Sequence, residues 1–125
     1  MLNPSRADAA IDDPTLRRCM AFGRSWGFGR LEVCNLFALR THDPRRLEIA
    51  RDPIGLLNDQ HLASAVQRAT TVVAAWGARG LYRHRAGAVD AVFADRAIWC
   101  LGTTKGKEPR HPLYVRGDTP LTRWR

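Results

Sequence analysis

The feature that most constrains the fold is an alternation of short apolar runs with segments of helical periodicity. Residues 31–39, 70–76 and 97–101 are apolar runs rich in strand-forming side chains, while residues 14–24 and 57–69 carry apolar side chains at helical spacing. Alternating strands and helices favour a parallel sheet joined by right-handed crossovers. We therefore predict an α/β fold with three layers, α/β/α, around a central, mainly parallel four-stranded sheet in one domain, residues 1–125.

The start of the chain supplies the remaining strand. Pro4 cannot donate to a sheet ladder and holds Asn3 in an extended conformation, so we expect Asn3 at the end of a strand. This strand has almost no length. Either the sheet edge is short or strand-forming sequence is missing upstream, and we favour the second. A weaker helical pattern covers residues 78–95, and the basic tail after Val115 is expected to be loosely held.

Charge and cysteine usage limit the class of protein. The net charge of +8 comes almost entirely from arginine, because Lys105 and Lys107 are the only lysines. A basic surface favours nucleic acid, nucleotides or other anions, and a compositional bias towards arginine is the equal alternative. No apolar stretch is long enough to cross a membrane and no signal region opens the chain, so we expect a cytoplasmic protein without a membrane partner. The three widely spaced cysteines are interpreted as reduced core residues: Cys19, Cys34 and Cys100.

An acidic cluster precedes the first helix. Asp13 is expected to be its N-cap, with Pro14 at the first helical position. Asp8, Asp12 and Asp13 could hold a metal, but carboxylates before a helix are more often caps. We predict no metal and no cofactor.

Polar residues at the predicted strand ends are the candidate functional groups. Ligands of open α/β sheets bind beyond the carboxyl ends of the strands, where Asn3, Trp76 and the loop carrying His111 are expected. Asn35 interrupts an apolar strand, and its amide either bonds a neighbouring loop or reads the polar edge of a ligand. The basic neighbours of His111 would disfavour its charged form, which suits a neutral donor to an anion.

Several short motifs together resemble a bacterial and phage family called domain of unknown function 1643. The resemblance covers nearly the whole chain and is carried by Met1-Leu2-Asn3-Pro4-Ser5, Asp12-Asp13-Pro14-Thr15, Val33-Cys34-Asn35-Leu36-Phe37-Ala38, Asp52-Pro53-Ile54-Gly55 with Asn58-Asp59, Ala75-Trp76-Gly77 and His111-Pro112-Leu113-Tyr114-Val115. Members of the family carry strand-forming sequence ahead of the first motif, and the family name implies no established activity.

The order of these motifs is also similar to the uracil-DNA glycosylase superfamily, which has a three-layer α/β/α fold. That resemblance implies that Asn3 positions a water, Asn35 reads the base and His111 steadies the departing base anion. It further implies an aromatic floor for a base taken out of its stack, for which the candidates are Phe22, Phe37 and Trp76. Phosphate is assigned to Ser5, Lys105, Lys107 and Arg110.

Two departures from the superfamily pattern narrow the substrate. Leu2 stands where a glycine is expected, and Leu113-Tyr114-Val115 replaces the Ser-Pro-Leu-Ser segment that wedges into duplex DNA. A nucleotide, or a modified base in a single strand, is therefore favoured over duplex DNA as the ligand.

Three functional hypotheses follow. The first is a glycosylase-like protein that binds a nucleobase, with hydrolysis of its N-glycosidic bond as the catalytic extension. The second is a non-catalytic module that binds a nucleotide or nucleic acid in the same pocket. The third is a truncated, inactive chain whose stability upstream residues would restore.

Overall fold

The computed structural model of the chain describes residues 1–4, 13–93 and 95–125. The helices and strands in these ranges are α1 (Pro14–Ser25), α2 (Arg46–Ile49), α3 (Asn58–Arg68), α4 (Arg85–Ala88), β1 (Val72–Ala74), β2 (Ile98–Cys100) and β3 (Thr122–Arg123). Three 3₁₀ segments cover Ala78–His84, Asp90–Phe93 and Pro112–Tyr114.

The two longer helices confirm the sequence pattern. At the start of α1, a carboxylate oxygen of Asp13 accepts the backbone N–H groups of Thr15 and Leu16, at 2.7 and 3.2 Å. Pro14 occupies the first turn, where its missing N–H costs nothing. The segment predicted as the second helix, residues 57–69, forms α3 with nearly the same bounds.

The sheet is smaller than predicted and differs in type. β1 pairs in parallel with β2 in the register Val72 to Ile98, and β2 pairs antiparallel with β3 in the register Trp99 to Arg123. The predicted four-stranded, mainly parallel sheet is therefore wrong. With only this three-stranded mixed sheet in the described residues, the three-layer α/β/α arrangement of the uracil-DNA glycosylase fold is wrong as well.

The backbone hydrogen bonds of residues 36–39 explain why this apolar run is not a strand. Leu36 and Phe37 donate to the carbonyls of Met1 and Leu2, and the next two residues donate to the segment at Pro53 and Ile54. Successive N–H groups of a β-strand point to opposite sides. Two consecutive residues of a strand therefore cannot both donate to the same neighbouring strand. Here one pair of consecutive residues donates to one segment and the next pair donates to another. These bonds hold the run extended, but they do not form the ladder of a β-strand.

Residues 78–95 do not form the predicted helix. The backbone of Gly80 passes directly against the Trp76 ring, and the chain then turns through two left-handed residues, Arg83 and His84, with φ of 52° and 55°. A residue with left-handed backbone angles cannot continue a right-handed α-helix, so the chain is not helical at these two positions. Only the single turn of α4 remains α-helical.

The carboxyl-terminal tail is part of the fold, so the expectation of a loosely held tail is wrong. Thr122–Arg123 forms the edge strand β3. Beyond it, the Trp124 ring packs edge-on against Trp76 with 5.3 Å between ring centroids, and its Nε1 donates to the Lys107 carbonyl at 3.1 Å.

The hydrophobic core brings together the start of the chain, the run 36–39, α2, α4, β1 and β2. Its buried members are Leu2, Leu36, Phe37, Leu47, Ala74, Trp76, Ala86, Val89 and Ile98. A buried arginine borders it: Arg85 is 1% exposed and donates from Nε to the Leu36 carbonyl at 2.7 Å. Its guanidinium also meets both carboxylate oxygens of Asp59. This bridge fixes the extended run 36–39 against α3 and α4.

Candidate ligand-binding cavity

A cavity of about 440 Å³ lies between α1, the extended segment 30–36, α3 and β1. Most of its lining is apolar, including Val66 from α3, Val72 from β1 and Leu36. The exposed residues of the lining mark its mouth: Phe28, Arg30, Leu31, Glu32, Arg68 and Thr70. Its volume falls within the range of about 300–1,000 Å³ typical of small-molecule sites.

One wall of the cavity is aromatic. Phe22 and Trp26 are one helical turn apart and stack with 5.2 Å between centroids and 20° between planes. Gly27, with φ of 79°, then reverses the chain, and Phe28 donates back to the Gly23 carbonyl at 2.9 Å. The Phe28 ring consequently stands edge-on to Trp26, at 6.4 Å and 77°. The turn after α1 thus presents ring surfaces in two directions.

The polar groups of the cavity come from its rim. Glu32 accepts from Arg68 at 2.8 Å, and Arg68 also donates to the hydroxyl of Ser64 at 2.5 Å, so Arg68 is held in place. The Arg30 guanidinium, by contrast, makes no hydrogen bond or ion pair with the described residues. Thr71 adds a hydroxyl to the lining.

Two of the three cysteines line the same cavity. Cys19 and Cys34 are half-buried, and burial raises the pKa of both thiols above their ordinary value of 9.0. The thiols are therefore neutral at physiological pH and act as small apolar groups. Cys100 is fully buried in β2.

The structure separates the four residues assigned to base binding. Phe22 and Trp76 line the cavity. Phe37 is 0% exposed in the core and does not reach it. Asn35 lies beside the lining, and its carbonyl, with that of Leu36, accepts from the Asn58 amide at 3.1 and 3.0 Å. The Asn35 side chain makes no hydrogen bond with any described residue.

Asn3 braces the backbone and does not line the cavity. Its Nδ2 donates to the Thr41 carbonyl at 2.6 Å and approaches the Pro4 and Leu39 carbonyls at 3.0 and 3.4 Å. Its two amide hydrogens are thus committed to backbone carbonyls, which explains the need for an amide here. Water placement by this side chain stays a prediction.

His111 begins the 3₁₀ segment Pro112–Tyr114, where its Nδ1 accepts the backbone N–H of Leu113 at 3.3 Å. His111 is half-buried and does not line the cavity, whereas the next residue, Pro112, does. Burial lowers its pKa from the ordinary value of 6.5, the Met1 amino group lowers it further, and Asp13 opposes both. The lowered pKa favours the neutral imidazole, as the sequence predicted. The cause is different, because burial lowers the pKa and the predicted cause was the basic neighbours of His111.

We expect His111 to make the stability of the protein depend on pH. A lowered pKa gives a contribution that is complete above 6.5 and is lost as the pH falls from there through the lowered pKa. His111→Asn keeps an acceptor for Leu113 and removes the titration. Urea unfolding should therefore show a smaller loss of stability between about pH 7 and about pH 5 in the variant than in the wild type. Equal losses in the two proteins would contradict this assignment.

The residues assigned to phosphate lie on a hairpin away from the cavity. Residues 103–110 are closed by a bond from Thr104 N–H to the Glu108 carbonyl at 2.8 Å. Lys105, Lys107 and Arg110 are exposed on it, and none lines the cavity. Ser5 lies outside the described residues.

The hairpin contacts the cavity lining at Trp76. Glu108 is 7% exposed, and its carboxylate accepts from Trp76 Nε1 at 2.6 Å. Trp76 is itself one of the lining residues.

Sequence reasoning missed the centre of the site. Trp26, Phe28 and Arg30 were not proposed, although the aromatic spacing Phe22-x-x-x-Trp26 and the pattern Trp26-Gly27-Phe28-Gly29 are visible signals. Their meaning depends on the chain reversal at Gly27, which no local pattern specifies.

The described residues contain no group of three or more histidine, cysteine or acidic side chains arranged to hold a metal ion. Asp13 is the N-cap of α1, while Asp8 and Asp12 lie outside the described ranges. No described helix combines the length and apolar composition that a membrane crossing requires.

Comparison with known proteins finds one family. Its model, described as a protein of unknown function (DUF1643), matches residues 1–113. Neither the curated proteins nor the solved structures contain a match to this chain.

Proposed function

We propose that this chain, which belongs to the DUF1643 family, binds a nucleotide or nucleic acid by taking one base into the cavity. The observation that carries the proposal is the wall formed by Phe22, Trp26 and Phe28 in a cavity of about 440 Å³. Stacking of a base on an aromatic ring is worth about 1–3 kcal/mol and tolerates any base, because every base has a π-face.

The charge distribution supports an anionic base-bearing ligand. The chain carries a net charge of +8, which attracts phosphate-bearing ligands at long range. At the mouth of the cavity, Arg30 is the cation available for a phosphate, since Arg68 is engaged by Glu32 and Ser64. Glu32 and Thr71 supply acceptors and a donor for the polar edge of a base.

Binding is favoured over N-glycosidic hydrolysis. The hydrolytic hypothesis requires Asn3 and His111 beside the base, because a water must meet the sugar carbon while donors stabilise the leaving base. Neither residue lines the cavity, and the Asn3 amide is committed to backbone carbonyls. We therefore propose the non-catalytic module.

A variant that fills the cavity tests this function. Gly23 lies on α1 and lines the cavity, and a Cβ added there meets no atom within 4 Å. We expect Gly23→Phe to fold and to weaken nucleotide binding by about tenfold or more, since the added ring occupies the space of the base. Titration of tryptophan fluorescence with the common nucleoside monophosphates measures the affinity, and mass spectrometry of the same mixtures detects any released base.

Two matched variants control this test. Gly23→Ala places only a methyl group in the cavity and should retain binding. Gly87→Phe adds the same ring on α4, where a Cβ also meets nothing, and should bind like the wild type. Nucleotide binding by Gly23→Phe at wild-type affinity would refute the cavity as the site, and release of free base would establish the hydrolytic hypothesis instead.

A further inference from the structure

A second pocket, lined by arginines, lies near α2. It has a volume of about 340 Å³ and is lined by Leu39, Arg40, Thr41, Arg46, Ile49 and Ala50. We call it the arginine pocket. Residues 40–51 contain four arginines but only two carboxylates, so the surface around it is basic.

The two arginines of this pocket are free to bind an anion. Asp43, three residues from both Arg40 and Arg46, is held by Arg45 through two bonds at 3.0 and 3.1 Å. Arg40 and Arg46 are exposed, and their guanidinium groups make no hydrogen bond or ion pair with the described residues. Two unpaired cations on one concave surface repel each other unless an anion lies between them.

The backbone beneath the arginine pocket is held rigidly. Arg83 donates to the Glu48 and Ala50 carbonyls at 2.7 and 2.5 Å, which fixes the end of α2. Asn3 donates to the Thr41 carbonyl, and Thr41 donates from its own N–H to the Pro4 carbonyl at 3.1 Å. A fixed backbone lowers the cost of ordering the two arginine side chains around a ligand.

Phosphate is the anion that suits this pocket. The planar guanidinium group matches phosphate oxygens in bidentate fashion and gives strong charge-assisted hydrogen bonds. Leu39 and Ile49 provide apolar walls, which reduce screening by water around the bound charge.

The arginine pocket is close to the cavity along the chain. Leu36 lines the cavity and Leu39 lines the arginine pocket. Three residues span at most about 11 Å even when fully extended. The linings of the two sites therefore come within about 11 Å of each other at this point of the chain.

We propose that the arginine pocket binds a backbone phosphate of a single-stranded nucleic acid whose base occupies the cavity. This inference rests on the proposed function and identifies the ligand as a single strand. A nucleoside monophosphate has only one phosphate and cannot occupy a second phosphate site. A base can enter the cavity only when it is unstacked, which favours a single strand over a duplex.

The test removes both charges and measures the salt dependence of binding. Arg40→Gln with Arg46→Gln is compared with Arg79→Gln with Arg123→Gln, a pair of exposed arginines outside both pockets that lowers the net charge equally. The probe is a labelled single strand of about ten nucleotides, followed by fluorescence anisotropy at several salt concentrations. Loss of the single phosphate contact should flatten the slope of log affinity against log salt by about 0.7 for the pocket pair.

Each outcome supports or overturns the proposal. A flatter slope and an affinity lower by about tenfold for the strand, with nucleoside binding unchanged, would support it. Slopes that are equal in the pocket pair and the control pair would overturn it. The pocket pair could also lose equal affinity for inorganic phosphate, nucleoside monophosphates and the strand. That result would assign the pocket to a free or terminal phosphate and overturn the proposal of a single-stranded ligand.

A failure of the proposed function is visible separately. In that case Gly23→Phe would leave nucleoside binding intact, whatever the arginine variants do to the strand.

Discussion

Arg85→Met should lower the free energy of unfolding by about 3 kcal/mol. The variant removes the charged donor of the Leu36 carbonyl, and a hydrogen bond to a charged group is worth about 1.5–3 kcal/mol. It also breaks the pair with Asp59, but that carboxylate is 55% exposed and regains water, so this part adds about 1 kcal/mol or less. Loss of the buried charge removes its own desolvation cost, which prevents a larger effect. Urea unfolding measures the change, provided that the m-value stays constant.

A matched exposed arginine and a double variant test the cause. Arg45→Met breaks the exposed pair with Asp43 and should change stability by no more than about 0.5 kcal/mol. The Leu36 carbonyl also accepts from Asn58, so Arg85→Met combined with Asn58→Ala leaves it without its two side-chain donors. The double variant should be less stable than the sum of the single effects predicts. A strictly additive result, or an Arg85→Met effect as small as that of Arg45→Met, would show that the bridge does not hold this segment.

Gly80→Ala should cost about 3 kcal/mol, although it adds only one methyl group. A Cβ at Gly80 would overlap Cδ1 and Nε1 of Trp76. The indole cannot move aside easily, because Glu108 accepts from its Nε1 and the rings of Phe93 and Trp124 pack against it. Thermal and urea unfolding should both show the loss.

Gly87→Ala is the control for the effect of removing a glycine. A Cβ at this exposed α4 position meets nothing, so the variant should be neutral or slightly more stable. The overlap itself is tested by adding Trp76→Leu to Gly80→Ala. The double variant should lose at least about 1 kcal/mol less than the two single losses together, because the smaller side chain makes room. Additive losses would place the strain of Gly80→Ala somewhere other than on the indole.

Trp76 connects the two parts of the molecule that these experiments probe. Trp76 lines the cavity, while its Nε1 donates to the Glu108 carboxylate of the basic hairpin. A change at Gly80 should therefore disturb the cavity as well as the stability.

Local sequence signals predicted the elements whose stabilising contacts are local. Asp13 and Pro14 marked the start of α1 correctly, because an N-cap bonds the N–H groups two and three residues later. The spacing of apolar residues located α3, and the runs at residues 70–76 and 97–101 contain β1 and β2.

The elements that failed depend on partners distant in sequence. The apolar run 31–39 has strand composition, but its N–H groups are taken pairwise by Met1 and Leu2 and by Pro53 and Ile54. The carboxyl-terminal tail was expected to be loosely held because it is basic, but the Trp124 ring packs edge-on against Trp76. The catalytic role of Asn3 stays a prediction, and the structure adds that its amide donates to the carbonyl of Thr41.

By itself, the sequence determined the family, the capped helix α1, the helix α3 and the net positive charge, since each follows from residue identity or short spacing. The tertiary structure alone decided the size of the sheet, the burial of Arg85 and the cavity behind Phe22, Trp26 and Phe28. The physical reason is that a hydrogen-bond donor or an aromatic ring has many chemically equivalent partners along the chain. Only the packed fold determines which one it meets.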